Sequence, residues 1–155
     1  MTDPIVKTIT VPLTPDRAFR LFTEEMTDWW PLETHSLSAQ DGARADKVEV
    51  TPGVGGKIVE TRPDGRKEIW GSVTDWRPGK RFAMSWHVGR PEAQATEVAV
   101  DFVTVADGTQ VTLTHSNWQA LGTEAAAIRA GYHTGWDMVL GAAYAGAATK
   151  VLVRA

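Results

Sequence analysis

The stretch from Gly122 to Lys150 constrains this chain more than any other, because it runs for nearly thirty residues without a proline and is rich in alanine. That composition predicts one long helix. At ~1.5 Å per residue such a rod reaches ~40 Å, as long as a small domain is wide, and it needs a surface to lie against. Its apolar stripe is Ile128, Tyr132, Trp136, Val139, Leu140 and Ala143, spaced by three and four residues as one helix face requires. Gly131 and Gly135 interrupt the pattern, each at a cost of roughly 1 kcal/mol against alanine. Two arrangements would offset that cost. Either another backbone approaches closely, making Gly131-xxx-Gly135 a close-packing device, or space is left open beside Tyr132 and Trp136.

Ahead of the rod, Ile5 to Val11 is β-branched and alternating, a first strand that Pro12 closes. Thr14-Pro15-Asp16 supplies a capping hydroxyl and a first-turn proline for a short helix to about Thr23. Glu24 to Trp30 reads as a second short helix stopped by Pro31, and residues 31–44 read as loop around His35. Strands then follow at 47–51, 57–61, 67–76, 81–88, 97–105 and 109–117, with Asp64-Gly65 and Asp107-Gly108 as hairpin signals. Strand, helix pair, six strands and long helix make a single α+β domain over residues 1–155. A seven-stranded antiparallel sheet has one face to cover, the rod covers it, and strand twist curls the sheet to leave a cavity.

Several function classes drop out. Lys and Arg number 16 against 19 Asp and Glu, for a net charge of −3, and no basic run occurs, so nucleic acid is not an expected partner. The absence of cysteine removes disulfides, thiolate catalysis and thiolate zinc sites. The histidines, His35, His87, His115 and His133, stand in no metal-ligand spacing, and no metal or other cofactor is expected. The Gly53-to-Lys57 run lacks the residues of a phosphate loop. With no signal-like start and no run of 18 apolar residues, the expected location is cytoplasmic, with no membrane span.

An ordered set of short motifs carries a family resemblance: Thr14-Pro15-Asp16-Arg17-Ala18-Phe19, Asp28-Trp29-Trp30, Gly55-Gly56-Lys57, Gly71-Ser72-Val73, Pro78, Arg81-Phe82, Ser85-Trp86, Val111 to His115 and Gly135-Trp136. Together they resemble the bacterial proteins similar to the C-terminal domain of the activator of Hsp90 ATPase, within the START-like, or SRPBCC, superfamily. The resemblance implies the helix-grip fold, a seven-stranded sheet wrapped around a long C-terminal helix with a cavity between. It also implies a cavity for apolar or amphipathic small molecules, in some members with cyclase or hydratase activity. The separate N-terminal domain of the eukaryotic activator is not part of this sequence.

Seven tryptophans in 155 residues are the compositional clue to a lined pocket. Trp30, Met84, Trp86, His115, Asn117, Trp118, Tyr132, Trp136 and Val139 are the candidate ligand-binding residues. His115 shares strand parity with Val111 and Leu113 and should point inward, whereas His87 should point outward. His115 and Tyr132 are the candidate proton donors or acceptors if the cavity is catalytic. Trp70 and Trp76 are expected on the convex side or an edge, and Glu60 and Glu68 on a solvated sheet face. The leading expectation is a small apolar ligand held between sheet and helix. The alternatives are a cyclase- or hydratase-type enzyme in the same cavity, and a protein-interaction module with Ala142 to Ala148 as a candidate homodimer face.

Overall fold

The computed structural model describes residues 3–154, with side chains up to Val151. Seven strands form one antiparallel sheet in the order β1-β7-β6-β5-β4-β3-β2. They are β1 (Ile5–Val11), β2 (Lys47–Val50), β3 (Lys57–Thr61), β4 (Lys67–Arg77), β5 (Arg81–Trp86), β6 (Thr96–Val105) and β7 (Gly108–Ser116). The first strand joins the last in full register, Ile5 opposite His115 and Val11 opposite Thr109. Between β1 and β2 lie α1 (Pro15–Phe22), α2 (Met26–Trp29) and α3 (Leu37–Gln40), the last being a turn of helix where loop was expected. Thr14 caps α1 through its hydroxyl, accepting from the Arg17 N–H at 3.2 Å. The helix buries Ala18, Phe19, Leu21 and Phe22.

The C-terminal rod begins later than its composition predicts. A 3₁₀ segment, Trp118–Glu124, follows β7, and Gly122 breaks it at φ 62°, ψ −133°, a conformation open to glycine. The helix then runs as α4 (Ala125–Trp136), a wide π-wound segment (Asp137–Tyr144) and α5 (Ala145–Arg154) without interruption. Winding explains the burial. Residues repeating every four positions drift by ~40° per step on an α-helix. Tyr132, Trp136, Leu140, Tyr144 and Ala148 follow that four-residue repeat, and the wider π turns hold the last members over the sheet. Tyr144 thereby occupies the fully buried place expected for Ala143, which is only half-buried.

Strand β4 departs from simple alternation twice. Ile58 pairs with Gly71 but Val59 with Ile69, and Val73 pairs with Met84 but Asp75 with Ala83, so one extra residue stands in β4 at each place. Each bulge reverses parity. Trp70, Val73 and Trp76 therefore all turn toward the core while Ile69 is exposed, which corrects the convex-side expectation for Trp70 and Trp76. Gly71 is required at the first bulge, because a Cβ there would lie 1.8 Å from the Ser85 carbonyl oxygen. Among the described residues no helix is long and apolar enough to cross a membrane.

Candidate functional site

A cavity of about 220 Å³ lies between the sheet, the rod and the segment after α2. Strand β4 supplies Trp70, and β5 supplies Trp86 with Val88 just beyond it. The rod supplies Tyr132, Gly135, Trp136 and Val139. Trp30 closes the inner side of the remaining wall, and Thr34, His35, Ser36 and Gln40 form a polar mouth. A cavity of about 150 Å³ accommodates benzene, so this one has room for a slightly larger body. A larger trough of about 620 Å³ runs between α1 and the end of the rod, but Arg17, Glu25, Asp28 and Lys150 make its rim charged and open. The aromatic cavity has the apolar lining and few polar groups that a small-molecule site needs.

Gly131 and Gly135 decide between the two arrangements posed by the sequence. A Cβ at either position would meet nothing within 4 Å, so no backbone packs there and the close-packing reading fails. Gly131 faces solvent, whereas Gly135 leaves room that belongs to the cavity.

Four of the twelve lining residues are tryptophans. Trp30 lies 5.3 Å from Trp70, 5.9 Å from Trp86 and 6.0 Å from Trp136, centroid to centroid. Trp86 lies 5.6 Å from Trp70 and 5.7 Å from Trp136. Each N–H is spent on the protein: Trp30 donates to the His35 carbonyl, Trp70 to the Glu60 carboxylate, Trp86 to the Tyr132 hydroxyl and Trp136 to His115 Nδ1. The rings are thus fixed by their polar edges and present carbon to the cavity.

Glu60 departs furthest from its expected place. It is fully buried, not solvated, and accepts from the Leu37 N–H at 2.8 Å, the Ser38 N–H at 2.8 Å, the Ser38 hydroxyl and Trp70 Nε1 at 3.1 Å. Its parity with buried Ile58 on β3 was the available signal. One carboxylate thereby ties α3, and with it the cavity mouth, to a wall tryptophan. Glu68, in contrast, pairs with Arg62 at 2.8 Å and is partly exposed.

His115 points inward as its parity requires, yet it lies behind the cavity. Trp136 Nε1 can only donate, so His115 Nδ1 accepts at 3.0 Å, and the proton resides on Nε2 facing Thr96 Oγ1 at 2.7 Å. The Thr96 hydroxyl in turn donates to the Trp86 carbonyl at 3.1 Å. Burial pushes the His115 imidazole down to about 3. Its ring also lies against Trp118, with centroids 4.0 Å apart. The histidine orients wall residues and does not meet the cavity.

Of the candidate ligand-binding residues, Trp30, Trp86, Tyr132, Trp136 and Val139 line the cavity, and Met84, His115, Asn117 and Trp118 do not. Met84 is deep core opposite Val73 and Val98. Asn117 is exposed at φ 65° and donates to the Ala95 carbonyl, and Trp118 is buried behind His115. Sequence reasoning missed Trp70, hidden by the bulge, and the mouth residues Thr34, His35, Ser36 and Gln40, which stand in an aperiodic segment. His87, expected outward, is buried with Nδ1 donating to the Arg90 carbonyl at 3.0 Å. Tyr132 is the titratable group of the inner cavity. Burial raises its phenol above the usual range, and its oxygen accepts from Trp86 while its proton stays available. Among the described residues no cluster of metal-ligating side chains occurs.

A family model described as Activator of Hsp90 ATPase homolog 1-like protein matches residues 12–143. No curated protein matches the chain. Among solved structures, the anthrahydroquino-gamma-pyrone synthase Txn09 is 29% identical, with 81% of this chain and 84% of that one covered at a TM-score of 0.58. Protein NE0264 from Nitrosomonas europaea is 15% identical, with 98% and 97% covered at 0.66. The Aha1 dimer from Colwellia psychrerythraea is 21% identical, with 88% and 96% covered at 0.57.

Proposed function

This chain belongs to the family of Activator of Hsp90 ATPase homolog 1-like proteins, and we propose that it binds a small apolar or amphipathic molecule in the cavity walled by Trp30, Trp70, Trp86, Tyr132 and Trp136. The observation that carries this reading is the open space at Gly135, which lines the cavity. The rod gives up roughly 1 kcal/mol there, and no packing partner receives the space so released. The protein-interaction alternative has less behind it. Among the described residues the large exposed apolar side chains, Val6, Val54, Ile69, Val103 and Met138, are spread over separate elements.

Gly135→Leu tests the binding reading directly. The new side chain grows into free space, so the fold keeps or gains stability while the cavity fills. Tryptophan fluorescence of the natural chain should respond to a panel of small lipids and aromatic molecules, and the variant should not. An equal response from both proteins would remove the cavity as the binding site.

A second reading has one specific observation in its favour. The similarity to Txn09 includes a synthase at 29% identity, and Tyr132 keeps a donatable proton inside an apolar site. In this version Tyr132 acts as the proton donor of a cyclase-type reaction, with His35 at the mouth as the second titratable group. Tyr132→Phe separates the two readings: it leaves ligand affinity within a few-fold if the protein only binds, and stops turnover if it catalyses.

A further inference from the structure

We propose that the cavity is a cage for a quaternary ammonium group, so that its ligand is an amphipathic cation seated head-first against Trp30, Trp70, Trp86 and Trp136. The inference rests on the small-molecule reading above and narrows it to a charge type.

Three observations lead there. The four indoles are inclined to one another by 47° to 82°, so they meet as walls and do not stack. With every one of their N–H groups already donating to the protein, they offer a ligand π surface and no hydrogen-bond donor. That surface attracts cations, most strongly when the cation is poorly hydrated.

The second observation is the buried charge. Every group that hydrogen-bonds Glu60 is electrically neutral: two backbone N–H groups, the Ser38 hydroxyl and the Trp70 indole. A carboxylate one ring behind the cavity wall therefore lacks a cationic partner, and its hydrogen bond from Trp70 pushes electron density into that ring. A cation in the cavity would supply the missing opposite charge through the indole.

The third is the lining. No lysine or arginine belongs to it. The positive field reaching Tyr132 comes from Arg90, which is held by Glu124 at 3.2 Å and Gln94 at 3.3 Å. An anionic ligand would meet no lysine or arginine in the lining and would face Glu60. A neutral one would gain nothing from that carboxylate. At about 220 Å³ the cavity suits a head of a few methyl groups with a short tail leading past His35 to the mouth.

The test compares choline with its uncharged carbon isostere, 3,3-dimethylbutan-1-ol, by tryptophan fluorescence and calorimetry on the full chain. Choline should bind on the order of tenfold more tightly or better, as cation–π energies in desolvated sites allow. Glu60→Gln, checked for an intact thermal transition, should erase most of that preference while leaving the alcohol's affinity unchanged. If Glu60→Gln does not fold, Trp70→Phe serves, and it should narrow the preference in the same direction. Equal or tighter binding of the alcohol overturns the cation proposal while the apolar-ligand reading stands. Binding of a neutral aromatic such as 2-naphthol, with neither choline nor the alcohol bound, overturns it in the same way. If none of the three binds, both readings fall.

Discussion

Tyr144 places a phenol in the middle of an apolar core, where its hydroxyl donates to the Ala18 carbonyl at 2.7 Å and burial raises its pKa. The bond ties the rod to α1. Tyr144→Phe keeps the ring contacts with Phe22 and Trp29 and removes only the hydroxyl, so it should cost about 1 kcal/mol in urea unfolding with the m-value unchanged. Glu60→Ala is a different case. It strands two backbone N–H groups and the Trp70 indole in a dry interior, and should cost about 3 kcal/mol or more by the same measurement. Legibility at this scale is uneven. Parity correctly turned His115 inward, and it would have turned Glu60 inward had Ile58 been used as the reference residue. The four donors around Glu60 could not be foreseen, because three come from Leu37 and Ser38, more than twenty residues earlier in a segment without periodicity.

The rod and the succession of strands along the chain were legible as elements because each leaves a local mark: an absent proline over 122–150, and turn residues at Asp64-Gly65 and Asp107-Gly108. Of the two bulges in β4, the first leaves only Gly71 as a mark and the second leaves none. An extra residue in a strand acts through pairing with a distant partner, so Trp70, Val73 and Trp76 could not be assigned to one face by counting. Three glycines near or within the rod give opposite predictions for the same substitution. Gly122→Ala forces a side chain into φ 62°, ψ −133° and should cost about 1–3 kcal/mol. Gly131→Ala adds a methyl to exposed helix with nothing within 4 Å and should gain about 0.5–1 kcal/mol. Gly135→Ala should gain stability similarly while narrowing the cavity. Thermal denaturation of the three variants checks the ordering.

As a whole, the molecule is a curled sheet gripping a rod, and its global stability should carry a pH signature from His115. The unfolded chain takes up a proton near pH 6.5, whereas the folded imidazole refuses it until about 3. The native state thus binds fewer protons across this window, and stability falls as pH drops from about 6.5 toward 3, by at most about 1.4 kcal/mol per pH unit from this group. Urea midpoints at pH 7 and pH 5 measure the slope. His115→Leu, whatever its own baseline, should show a shallower decline. The fold class needed only element order to be read, while the cavity needed coordinates: it is made where Trp30, two strands and one helix face converge from positions far apart in the chain.

The π-wound segment has a consequence for chain length. Between Trp136 and Tyr144, both turned to the sheet, the backbone spends eight residues where seven would complete about two α-helical turns. The helix therefore carries a spare residue, and Gly141 and Ala142 sit on its exposed side. Excising Ala142 should let the backbone relax to ordinary winding with Tyr144 still against Phe22, whereas excising Ala130 should swing Trp136 by ~100° and unmake the cavity.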